Sequence, residues 1–136
     1  MKWANSLIRI ANHEVETLQK RLAEIVDRRA VMETRLALLH AEAEAEHARA
    51  KDDVEAGWYH VGFVQGWRIR CDQLKAQIVQ TLAEEAGARD ALSRAFEELK
   101  KFEHVAEVAR VAETREQGRR ETAALDEMGL RRAMGR

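Results

Sequence analysis

Histidine, cysteine and serine are the side chains of this 136-residue chain that most readily do chemistry, so their spacing comes first. His47 closes one Glu-x-x-His motif from Glu44. Carboxylate-bridged di-metal bundles need two such motifs and two further glutamates facing one cavity. The other histidines, His13, His40, His60 and His104, add no second motif, and they read as solvated or flanking side chains. Cys71 falls where a small apolar residue belongs, and a reactive thiol would need a histidine or cation to ionise it. Ser6 and Ser93 sit in no strand-turn-helix elbow, and the glycines form neither a phosphate loop nor a dinucleotide fingerprint. No catalytic residue, metal or cofactor is therefore expected, and the chain should be a non-enzyme that works by contact.

Two groups could make such contacts. Trp58, Tyr59, Phe63 and Trp67 are crowded into one short stretch of a chain with 5% aromatics. They can cap a helical turn, with Trp67 over Ala50, or bind a partner; a two-helix tip cannot bury all four. Near the other end lie Arg119, Arg120, Arg131 and Arg132, interleaved with Leu125, Met128 and Leu130. These arginines fit either a solvated face or contact with an acidic partner.

The elements that position these groups are long helices. Val64, Trp67, Cys71, Leu74, Ile78, Thr81, Glu85, Ala88, Leu92, Ala95, Leu99, Phe102, Ala106 and Ala109 recur at alternating spacings of three and four. That is the a/d seam of a coiled coil, interrupted only by Thr81 and Glu85. A second ladder runs through Ile8, Ala11, Val15, Leu18, Leu22, Ile25, Arg29, Met32, Leu36, Leu39 and Ala43. Proline is absent, no run shows strand-like alternation, and 35% of residues are charged. The pattern predicts an all-α fold, a long two-helix antiparallel coiled-coil hairpin in one domain spanning 1–136. Helix 1 is expected over about 3–55 and a glycine-bearing turn over about 56–62. Helix 2 follows over about 63–116, and a segment, 117–136, projects without a partner and is partly disordered when free.

Centring the reversal near Trp58 opposes Val15 to Phe102, Leu22 to Ala95, Leu39 to Ile78 and Ala50 to Trp67. Arg21 then flanks Glu98, Arg35 flanks Glu84, and Met1 lies opposite Glu116. Arg29 and Glu85, the charged residues in the middle of the seam, come one layer apart and should fix the register. Both ladders are consumed within the chain, so a monomer is expected.

Net charge is −1, which gives no general attraction to nucleic acid or lipid. It is unevenly spread: Glu42, Glu44, Glu46, Asp52, Asp53 and Glu55 make the turn end acidic. Arg115, Arg119, Arg120, Arg131, Arg132 and Arg136 make the other end basic. No apolar run approaches a membrane span, the N-terminus is no secretory signal, and a single cysteine suits a reducing compartment, so a soluble cytoplasmic protein is expected.

Three stretches carry a resemblance: Ala95-Phe-Glu-Glu-Leu-Lys-Lys-Phe-Glu103, the Arg/Glu-rich run Glu116-Gln-Gly-Arg-Arg-Glu121, and Leu125-Asp-Glu-Met-Gly-Leu-Arg-Arg132. With the two-helix architecture, they make the chain resemble the flagellar type III export protein family FliJ. The resemblance implies a stalk-like export factor at the inner-membrane export apparatus. Such a factor binds the hexameric export ATPase and promotes its assembly, couples it to the membrane export gate, and interacts with export chaperones. Carried onto this sequence, it assigns Arg119, Arg120, Leu125, Met128, Leu130, Arg131 and Arg132 to the ATPase, and Tyr59, Phe63 and Trp67 to the gate. A generic cytoplasmic coiled-coil adaptor is the alternative.

Overall fold

The computed structural model describes residues 2–135, with every side chain among them except that of Ala56. Two helices account for nearly all of it: α1, Lys2–Asp52, and α2, Val54–Met134. They pack against each other as an antiparallel hairpin, and no strand occurs among the described residues. Met1, expected opposite Glu116, and Arg136, counted with the basic end, lie outside the described residues.

Both ladders are on the packed faces. Ala11, Val15 and Ile25 of α1 and Cys71, Leu74, Ala88 and Leu99 of α2 are buried, with the remaining ladder positions buried or half-buried. An α-helix keeps residues three and four apart on one side, so a strict alternation of those spacings leaves a single apolar stripe for the partner helix to cover.

The reversal differs from the expected one. It lies at Asp53, the single non-helical residue between the two helices, and 56–62 belong to α2. Asp53 serves both elements: its N–H donates to the Arg49 carbonyl at 3.2 Å, and its own carbonyl accepts from the Gly57 N–H at 3.1 Å. Its side-chain Oδ1 accepts the Glu55 N–H at 3.0 Å, a helix N-cap. Arg49 and Lys51 in the last turn of α1 and Glu55 in the first turn of α2 suit the helix dipoles on either side. No glycine adopts positive φ, so the glycines that pointed to a later turn are ordinary helical residues.

The chain comprises two compact units, Met1–Glu16 with Ser93–Arg136, and Thr17–Leu92. In the middle of the second, the helices are aligned about one helical turn away from the expected register, and nearer the reversal, where Trp67 meets Leu39 rather than Ala50, they depart from it further. That register set Arg29 across from Ala88 and Met32 across from Glu85. Instead Arg29 Nε donates to Glu85 Oε2 at 2.7 Å, and Thr81 Oγ1 meets Met32 Sδ at 3.5 Å. On the flank, Glu84 pairs with Arg28 at 2.9 Å rather than with Arg35. A heptad seam slid by one step still sets apolar residues against apolar ones; the charged pair is what tells the two alignments apart.

In the first unit, Ala4 and Ile8 of α1 share a groove with Ala106 and Arg110 of α2. α2 continues as helix to Met134, past the segment expected to be partly disordered, and residues 117–135 are exposed throughout.

Candidate partner-binding surfaces

The seam contains one polar centre. Glu85 is 2% exposed and receives Arg29 from α1, with a second contact from Arg29 Nη2 to Glu85 Oε1 at 3.4 Å. Arg89, one turn on, reaches the same Oε1 at 2.6 Å, and Arg29 Nη1 also bonds Glu33 at 3.0 Å. The Arg29 hydrogen bond, followed by the charges of Arg29 and Arg89, holds the Glu85 carboxyl below the usual carboxylate range despite its burial. Arg29 is raised in turn, chiefly by hydrogen bonds to Glu85 and Glu33. Thr81 beside it satisfies its hydroxyl on the Gln77 carbonyl at 2.8 Å. This centre is internally satisfied and offers nothing to a substrate.

Near the reversal the aromatic residues divide. Trp67, expected to fill space over Ala50, is half-buried: its indole Nε1 donates to the Leu39 carbonyl at 2.6 Å, and its ring meets His40 edge-on at 5.5 Å. Phe63 is half-buried against His60, whose ring lies 5.7 Å from that of His47 on α1. Trp58 and Tyr59 are outside this packing, at 83% and 78% exposure. Val54 and Val61 are exposed with them, a pair the sequence reading passed over because it placed them beside or within a turn. Of the assigned gate residues, Tyr59 is thus presented outward, while Trp67 ties α2 to α1 and Phe63 stacks on His60 of its own helix.

On the C-terminal part of α2, the arginines are exposed and mostly paired along the helix. Arg119 and Arg120 reach Glu116 at 2.9 and 3.4 Å, and Arg131 reaches Glu127 at 3.0 Å. Such pairs one turn apart are weak and leave the guanidiniums available. Leu125, Met128, Leu130 and Met134 are all exposed. In a continuous helix Leu125 and Met128 share a face, flanked by Arg132. Leu130 lies roughly 140° further round and joins Met134 on another face. The expected apolar anchors, Leu125, Met128 and Leu130, thus fall on two faces, with Met134 added. An i, i+4 search from Leu130 would have found it.

Among the described residues no three His, Cys, Asp or Glu side chains gather as metal ligands. No helix among the described residues is long and apolar enough to cross a membrane.

The sequence profile described as the flagellar FliJ protein matches residues 4–136. The chain is similar to the curated flagellar FliJ proteins of Caulobacter vibrioides strains NA1000 / CB15N and ATCC 19089. It is 57% identical to each over 132 residues, which is 97% of this chain and 95% of theirs. No solved structure is significantly similar. A profile spanning almost every residue, together with relatives at that identity and coverage, carries the conclusion that the chain belongs to the flagellar FliJ protein family.

Proposed function

We propose that this protein is a non-enzymatic, stalk-like component of the flagellar type III export apparatus. It works in the cytoplasm against the inner-membrane export machinery. Family membership supports the flagellar setting. The observation that carries the contact reading is the last stretch of α2: past Glu116 a helix continues to Met134 with every residue exposed. A helix with no apolar face covered is marginal alone in water, so a sequence that keeps leucines, methionines and arginines there gains from a partner.

In this reading the C-terminal part of α2 docks on the hexameric export ATPase and promotes its assembly. Arg119, Arg120, Arg131 and Arg132 steer it toward an acidic surface, and Leu125, Met128 and Leu130 anchor it. Tyr59, with Trp58 beside it, presents the contact to the membrane export gate, supported by Phe63 and Trp67 behind. Export chaperones are further partners, and the protein itself is a monomer.

Copurification tests the reading. The tagged protein should retain the export ATPase of its own bacterium at moderate salt and lose it when Leu125 and Met128 are both changed to Glu. Retention unaffected by that change would remove the C-terminal helix from the contact. No retention at all would leave a generic coiled-coil adaptor.

A further inference from the structure

One flank of the Thr17–Leu92 unit carries a surface that neither the reversal nor the C-terminal helix accounts for. On α1, Arg21, Arg28 and Arg35 recur at heptad spacing and form one line, and Val31 and Leu38 form the line next to it. Val31 is 53% and Leu38 59% exposed, so this apolar stripe runs beside the seam rather than in it. On α2 the facing line is Arg70, Gln77, Glu84 and Ala91.

Two grooves open along this flank. One, of about 320 Å³, has Leu38, Leu39 and Leu74 as its floor and Arg35 and Arg70 on its rim. The other, of about 330 Å³, lies between Leu18 and Arg21 of α1 and Glu84, Gly87, Ala88 and Ala91 of α2. A Cβ placed on Gly87 would meet nothing within 4 Å, so the wall is open there. Leu74 and Ala88, one in each groove, are fourteen residues apart on α2, or about 21 Å at helical rise, some four turns of a third helix. Glu84, which lines the second groove, is paired with Arg28. Glu84 neutralises the middle arginine, whereas Arg21, Arg35 and Arg70 form no ion pair among the described residues.

We propose that this flank docks a third helix from a protein partner, an amphipathic helix with apolar residues toward the grooves and acidic residues toward Arg21, Arg35 and Arg70. The unpaired cations over apolar floors select that chemistry. A second copy joined through the same patch would set one arginine line against the other. The small residues Gly87, Ala88 and Ala91 let a helix axis approach to roughly 8–10 Å. Glu42, at the end of the first groove, is the acid that fixes which end of the partner helix may carry a cation.

The probe is a labelled three-heptad peptide with leucine at its a and d positions and glutamate at e and g, titrated with the full-length protein. Its lysine counterpart serves as control. The acidic peptide should bind with an affinity that falls as salt rises, and the basic one at least tenfold more weakly. The Arg35→Glu/Arg70→Glu variant and the Leu38→Glu variant should each lose at least tenfold, with helicity unchanged because these side chains are exposed. Leu125→Glu should bind as the unaltered protein does, which separates this surface from the C-terminal contact. No binding, equal binding of both peptides, or unchanged binding by the groove variants would overturn the proposal. So would self-association in the ultracentrifuge that Leu38→Glu abolishes, which would assign the flank to a second copy.

Discussion

Glu85 is a carboxylate in a seam of alanines and leucines, and its tolerance there depends on Arg29. Removing one partner of a buried pair strands a charge, while replacing both with apolar residues of similar size removes the desolvation cost. Arg29→Ala should therefore lower the melting temperature more than Arg28→Ala, whose pair with Glu84 is half in solvent. Arg29→Leu/Glu85→Leu should melt above the unaltered protein while admitting slipped alignments. The pH dependence has a definite sign. Because Glu85 is held below its ordinary value when folded, its contribution is present above the ordinary carboxylate range and is lost as pH falls through the depressed value. Thermal melts from pH 7 to pH 3 should show this loss, and Glu85→Gln should reduce it. The sequence marks both residues as the odd members of their ladders. Their direct contact was missed by favouring a glycine-centred turn over the rule that buried charges pair with each other.

The two ladders were legible because a helix of 3.6 residues per turn exposes a heptad repeat on one side whatever lies opposite, and each ladder position is buried or half-buried as read. The helix ends were harder. Gly57, Gly62 and Gly66 suggested a turn, yet an aspartate followed by an acid two residues on is also a helix start, and Asp53 with Glu55 won. With helical φ at these glycines, a side chain at 62 should help rather than strain the chain. Gly62→Ala is expected to stabilise by about 0.5–1 kcal/mol in urea unfolding. Asp53→Ala should cost about 1 kcal/mol, largely recovered by Asn. Destabilisation by Gly62→Ala would restore the turn to 56–62. The partner of Trp67 was the part without a sequence signal, because its hydrogen bond to the Leu39 carbonyl, in place of packing over Ala50, depends on the register.

For the molecule as a whole, the register and the C-terminal part of α2 decide the account. With Cys71 replaced by Ala, cysteines at Met32 and Thr81 should form a disulfide within one chain, and cysteines at Leu36 and Thr81 should not. Links found only between chains would replace the hairpin with an intermolecular coiled coil. The central claim, that residues after Gln117 are the ATPase contact, is tested most directly by the activity of the purified export ATPase titrated with the full-length protein and with a chain ending at Gln117. The shortened chain keeps the seam positions of both ladders and should melt almost as the intact one does. Its stimulation of the ATPase should fall sharply, and what remains should depend less on salt, because Arg119, Arg120, Arg131 and Arg132 are gone. Equal stimulation by the two chains would contradict the account and place the contact on the paired part of the hairpin.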